Sequence, residues 1–235
     1  MNLIKRNIPN SVTCCNLLAG TLAIIAAFHS LDTWWWGLPG YQVAFVMIAL
    51  AAVFDFFDGL TARWLHSASP LGKELDSLCD LVSFGLAPAL ILYNMMLQVY
   101  PGCGGAAYVA LLLPAFGALR LANFNIDTRQ STVFTGLPIP ANAIFWMGFT
   151  AFLATHPHAL PLWATLATIV ALSLLMVCGL RMFSLKLHSL SPKSAWRQYL
   201  LVIAFLALVL LLGLAGLAPA ILLYVALSAL TKQEQ

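Results

Sequence analysis

Residues 53–85 read VFDFFDGLTARWLHSASPLGKELDSLCDLVSFG. The stretch leaves one apolar run, passes through a short polar turn and enters another. Within it stand Asp55, Asp58, Asp76 and Asp80, half of the 8 acidic residues in the chain. A carboxylate at membrane depth costs about 2.5–3.5 kcal/mol on insertion scales, and four close together repel one another. Such a set persists only where something compensates for it, and divalent cations are the obvious candidates. The first helix reaches Asp55 after about fourteen residues, or roughly 21 Å, and Asp58 follows one turn later. The next helix meets Asp76 and Asp80 within its first two turns. Spacings of three and four place each pair on one helix face. A short loop makes the two helices antiparallel neighbours with both pairs at one depth, so four carboxylates can converge on one point.

The rest of the chain supplies the solvent for this cluster. Of 235 residues, 62% are hydrophobic and 8% charged, with a mean hydropathy of +0.92. Soluble domains carry about 25% charged residues. The expected fold is therefore an all-α integral membrane protein, because only helices or closed barrels satisfy their backbone in hydrocarbon and the apolar runs are continuous, without period-two alternation. Eight apolar segments fall near 11–30, 41–65, 75–99, 104–124, 138–155, 160–182, 197–213 and 216–231, giving a polytopic bundle of about eight transmembrane helices. The run from Leu200 to Leu230 is too long for one span of about 20 residues, and Gly213, Gly216 and Pro219 mark its turn.

Charge orders these spans. All 11 Lys and Arg residues fall at alternate ends: Lys5 and Arg6, Arg63 and Lys73, Arg120 and Arg129, Arg181 to Arg197, and Lys232. The intervening loops LDTWWWGLPG, VYPGCGG and THPHALP contain none. The positive-inside rule makes the basic side cytoplasmic, with both termini there and Trp34, Trp35 and Trp36 at the opposite interface. Lys5 and Arg6 precede the first run without a small-residue cleavage site, so that run is expected to be retained. The net charge of +3 is small and scattered, which argues against nucleic acid as a partner. The five cysteines show no zinc spacing and no disulfide framework. The chain reads as one domain over residues 1–235.

Oxygen-only ligands favour Mg²⁺, Mn²⁺ or Ca²⁺ over zinc. Two divalent ions would balance four carboxylates and leave coordination sites for phosphate, an arrangement suited to in-line displacement at phosphorus. Gly59, Ala62 and Gly72 are small enough for a phosphate to approach the backbone, and Arg63 offers a fork for phosphate oxygens. Arg120, Asn123, Asn125, Asp127 and Arg129 form a second polar cluster on the same side. Asn10, Thr13 and Asn16 either cap the first span or line the site.

The spacing from Asp55 to Asp80 is DxxDGxxARx₈GxxxDxxxD, and it resembles the signature of the CDP-alcohol phosphotransferase family. The resemblance implies transfer of a phosphatidyl group from CDP-diacylglycerol to an alcohol, with release of CMP. It implies Asp55, Asp58 and Asp76 as metal ligands, and Asp80 as the general base that also touches metal. It implies two ions, Mg²⁺ or Mn²⁺, and a CDP-lipid site formed by Asp58, Gly59, Ala62, Arg63, Gly72 and Asp76. A homodimer in a bacterial-type inner membrane is expected on the same ground. IPNSVTCCNLLAG, ALRLANFNID and FTGLPIPANA resemble the serine-accepting branch, over roughly residues 4–145 with the signature. That implies L-serine as acceptor and phosphatidylserine as product, the acceptor region lying at 120–142. Arg120, Asn123, Asn125 and Arg129 are its serine-binding candidates.

Other readings predict other things. A cation- or proton-coupled transporter also uses intramembrane carboxylates, but leaves the Arg and small residues at fixed offsets unexplained. A non-catalytic lipid-binding protein does not need the full set of aspartates. A glycerol 3-phosphate acceptor shares the signature but demands more cationic groups near the acceptor.

Overall fold

The computed structural model describes residues 3–67, 69–126, 134–182 and 196–230. The chain is an all-α, multi-pass membrane bundle. Its helices are α1 (Leu3–Ala27), α2 (Gly40–Trp64), α3 (Pro70–Asp80), α4 (Ala87–Val99), α5 (Leu112–Ile126), α6 (Ile139–Thr155), α7 (Leu162–Val177), α8 (Trp196–Leu212) and α9 (Leu217–Leu230). A π-helical turn over Leu81–Leu86 joins α3 to α4, so Pro70–Val99 runs as one span. A 3₁₀ stretch, Gly104–Leu111, leads into α5. Five described stretches are long and apolar enough to cross a membrane, and α6 and α7 are shorter apolar helices, consistent with the polytopic bundle expected. The 33-residue apolar run Gln198–Leu230 folds back at Gly213–Gly216, where Gly216 lies against the Leu208 backbone and a Cβ would not fit.

Two helices start earlier than the hydropathy suggests. α1 begins at Leu3, so Asn10 lies inside the helix and does not cap it. α3 begins at Pro70, with Ser69 as N-cap accepting from the Gly72 N–H at 3.0 Å. Proline suits the first helical position because its missing N–H needs no intrahelical partner there. Both extensions add a polar turn to an apolar run, and polar turns are invisible to a hydropathy window.

α6 occupies the middle of the bundle. Its sequence, IPANAIFWMGFTAFLAT, is apolar on every side, and Phe145, Trp146 and Leu153 are fully buried. A helix without a polar face belongs inside. α4 and α9 pack against it, while α1 packs along α2 and against α3 and α4. Alanines 19, 23, 26 and 27 of α1 and Ala44 and Ala51 of α2 are buried, and such small residues let helix backbones approach closely.

Several polar helix ends gather on one face. Lys73 Nζ at the start of α3 donates to the Asn125 carbonyl at the end of α5 at 3.0 Å. Thr135, before α6, pairs with Arg181, after α7, in a two-residue antiparallel ladder. Trp34, Trp35 and Trp36 lie in the α1–α2 connection, with His29, Trp34 and Trp35 stacked in series and Trp36 edge-on to Trp35. They are separated from the polar face by the length of α2, about 37 Å.

Candidate active site

α2 and α3 meet at the polar face through a tight turn. His66 has φ +49°. Its N–H bonds the Arg63 carbonyl, and the Ser67 N–H bonds the Ala62 carbonyl, the paired closure of a helix ending in a left-handed residue. The turn brings Asp55 and Asp58 of α2 beside Asp76 and Asp80 of α3. Asp55, Asp76 and Asp80 each present a carboxylate oxygen, and these oxygens lie within 4.8 Å of one another. Asp58 faces a neighbouring cleft of about 230 Å³, and Asp76 belongs to both features.

That cleft is bounded by Asp58, Gly59, Ala62, Gly72, Lys73 and Asp76 of the hairpin, by Ser67 and Ser69 of its turn, and by Pro9, Asn10 and Thr13 of α1. Space beside Gly59 is open to a ligand, with no heavy atom within 4 Å of where a Cβ would stand. Arg63 falls elsewhere. It is exposed, donates through Nε to the Gly59 carbonyl at 2.9 Å, and lines a shallow surface with Trp64 and His66. Among the described lining residues, Lys73 is the cleft's cation.

The carboxylates carry unmet hydrogen-bonding capacity. Asp58 Oδ2 and Asp76 Oδ1 are buried and have no hydrogen-bond partner among the described residues. Asp80 Oδ1 accepts from Asn16 Nδ2 at 3.2 Å. An all-oxygen donor set with open, buried carboxylate oxygens fits a hard divalent cation. Asp55, Asp76 and Asp80 are placed to hold one, with Asp58 available at the adjoining edge.

The acceptor candidates separate. Arg120 and Asn123 line a small cavity of about 40 Å³ with Phe124, Thr135 and the Met176–Cys178 backbone segment. Arg120 is largely withdrawn from solvent, its Nε has no hydrogen-bond partner among the described residues, and Asp80 is one of the charges that act on it. Asn125 instead faces α3, donating to Ser77 Oγ at 3.0 Å and Glu74 Oε2 at 3.5 Å. Arg129 and Asp127 lie outside the described residues. Gly136 follows Thr135 of this lining. It has φ +75°, and a Cβ there would strike the Met176 carbonyl.

Sequence reasoning passed over Lys73 as a ligand and left the α1 residues undecided. The signal for Lys73 was its position next to Gly72. For Asn10, Thr13 and Asn16 the signal was a polar stripe at helical spacing in an otherwise apolar span, and nothing in the sequence marked Pro9.

The family model for CDP-alcohol phosphatidyltransferases matches residues 6–170. Three similar proteins are named CDP-diacylglycerol–serine O-phosphatidyltransferase. That of Bacillus subtilis is 37% identical over 134 residues, covering 57% of this chain and 69% of the relative. That of Mycobacterium tuberculosis H37Rv is 32% identical over 233 residues, covering 93% and 73%. That of Helicobacter pylori 26695 is 33% identical over 225 residues, covering 92% and 86%.

Proposed function

The chain belongs to the CDP-alcohol phosphatidyltransferase family, and we propose that it transfers the phosphatidyl group of CDP-diacylglycerol to the hydroxyl of L-serine, giving phosphatidylserine and CMP. The observation that carries the reading is that Asp58, Gly59, Ala62, Gly72 and Asp76, scattered over two helices, line one cleft beside three converging carboxylates. The serine-transferring relatives support the choice of acceptor.

In this mechanism the nucleotide occupies the cleft under α1. Gly59 and Gly72 let the pyrophosphate approach the backbone, and Lys73 supplies positive charge. Arg63 reaches phosphate only by turning from its bond to the Gly59 carbonyl. Asp55, Asp76 and Asp80, with Asp58 at the adjoining edge, would hold divalent metal, two Mg²⁺ or Mn²⁺ ions in our reading. Bound metal supplies charge neutralisation at the pyrophosphate and at the departing CMP. Asp80 takes the serine hydroxyl proton. The serine oxygen then forms a bond to the β-phosphorus, and the bond from that phosphorus to the CMP oxygen breaks. Arg120 pairs with the serine carboxylate, Asn123 and Arg129 complete that end, and Asn125 contributes by fastening α5 to α3. The acyl chains remain in lipid while serine and nucleotide enter from the basic, cytoplasmic side of a bacterial-type inner membrane. A homodimer is part of the proposal, and light scattering in detergent checks it.

The test is CMP release by purified protein in detergent with CDP-diacylglycerol and Mg²⁺ or Mn²⁺. The acceptors are L-serine, glycerol 3-phosphate, myo-inositol 1-phosphate or none. Serine-stimulated release that stops on chelation and yields phosphatidylserine is the expected result. Release with another alcohol overturns the acceptor, and no release with any of them overturns the reaction.

A further inference from the structure

Resting on the role proposed for Asp80, we infer that Asn16 is the positioning residue that sets the orientation of that carboxylate. Asn16 stands on α1, 64 positions from Asp80 in sequence, and is wholly buried. Two bonds fasten it to the span that carries Asp80. Its Nδ2 donates to Asp80 Oδ1 at 3.2 Å. Its carbonyl accepts from the Ser83 hydroxyl at 3.1 Å, in the π turn immediately after Asp80. Gly20, one turn further along α1, makes this approach possible, since a Cβ there would overlap Ser83. Backbone and side chain of one residue therefore grip α3 and its π turn together, and the carboxylate between them has little freedom to swing.

The other half of the amide points to a site role. Asn16 Oδ1 is buried and has no hydrogen-bond partner among the described residues. Most buried side-chain polar atoms find a hydrogen-bond partner, and one that does not calls for an explanation. This one commits its donor to a carboxylate and leaves its acceptor open. The need for such a grip follows from the crowding around Asp80. Asp55 and Asp76 lie close by, and a carboxylate at liberty would turn both oxygens to whatever cation the three share. Holding Oδ1 keeps one oxygen apart from the other two residues, so that Asp80 serves the acceptor as well as the metal.

The test uses the full chain in detergent with Mn²⁺. Asn16→Leu and Asn16→Asp keep the branched side-chain skeleton and remove the amide donor, while Asn16→Gln keeps a donor. Three quantities are read: kcat, KM for CDP-diacylglycerol, and the shift in melting temperature caused by CMP. The expected result is a kcat at least tenfold lower in the Leu variant and lower still in the Asp variant, which sets a second carboxylate against Asp80. KM stays within twofold, the CMP shift is kept, and the Gln variant recovers several-fold over Leu. A Leu variant with more than half the wild-type kcat overturns the inference, and so does one that loses kcat and the CMP shift together, since that marks a packing role. If the Leu variant does not fold, Asn16→Ser is compared with Asn16→Ala. A Ser variant at least fivefold faster supports the inference, and equal rates overturn it. Wild-type protein that releases no CMP with any acceptor removes the proposed reaction and this inference together. Active wild type with an equally active Leu variant removes the inference alone.

Discussion

Asp80 sits between an amide donor on α1 and two other carboxylates, and its neighbours decide what a substitution does. In Asp80→Asn the new amide can still accept from Asn16 Nδ2 through its oxygen, so the contact to α1 and the fold are kept. What disappears is a group able to take a proton. Loss of a general base costs typically 10²–10⁴-fold, so turnover is expected to fall by that order while binding of CMP, read by its melting shift, stays near wild type. Undiminished turnover would exclude Asp80 as the base. Lys73 and Arg63 make a second pair at this scale. Lys73 lines the cleft proposed for the nucleotide, whereas Arg63 is turned onto a separate surface with Trp64 and His66. Lys73→Ala is therefore expected to raise KM for CDP-diacylglycerol roughly tenfold, the weight of one charge-assisted hydrogen bond, and Arg63→Ala to raise it less. The reverse order would mean that Arg63 turns inward when the lipid binds.

At the scale of elements, the proposed function assigns the two substrates to different parts of the bundle. The α2–α3 hairpin with α1 forms the cleft proposed for the nucleotide, while α5 and the connections on either side of α6 and α7 form the cavity at Arg120. Gly136 adjoins that second wall at Thr135, held by its N–H on the Leu180 carbonyl at 2.8 Å and pressed against Met176. Gly136→Ala meets both a left-handed backbone and a filled space, a combination that destabilises by more than about 1 kcal/mol. The displacement falls on Thr135 and Met176, both in the cavity wall. The expected outcome is a rise in KM for serine with KM for CDP-diacylglycerol unchanged; equal rises in both would place the damage in the whole bundle. The helices themselves were legible because the cost of a polar group in lipid is local: continuous apolar runs gave the spans, and the four aspartates stood out as exceptions. The helix ends at Leu3 and Pro70 were not legible, because a polar turn adds helix without adding hydropathy. Nor were the links from Asn16 to Asp80 and from Asn125 to Ser77, which join residues far apart in sequence and exist only once the helices are packed. Asn125 shows the consequence: its residue type suited serine, yet its side chain is engaged by α3.

Across the whole molecule, the bundle separates its chemistry by depth. The carboxylate cluster, the nucleotide cleft and the described basic side chains stand toward one end, and the tryptophan-rich α1–α2 connection stands at the other. A lipid substrate makes sense of that asymmetry, since its head group must meet water-borne serine while its tails stay in hydrocarbon. An apolar groove of about 610 Å³ between α6, α8 and α9 leaves that side of the bundle suited to lipid as well. The asymmetry also fixes how the protein must sit if the positive-inside rule governs it. Each Lys or Arg near the surface of an anionic leaflet is worth about 1 kcal/mol, so under that rule the basic end would be held at the cytoplasmic face by several such contributions. Two exposed positions report on the two ends, Trp35 in the tryptophan-rich connection and His66 in the α2–α3 turn. In a background without the five native cysteines, Trp35→Cys is expected to react with a membrane-impermeant maleimide added to intact spheroplasts. His66→Cys is expected to react only after permeabilisation. Labelling in the opposite order would place the active site on the outer face, where neither cytosolic serine nor a CDP-lipid of the inner leaflet could reach it.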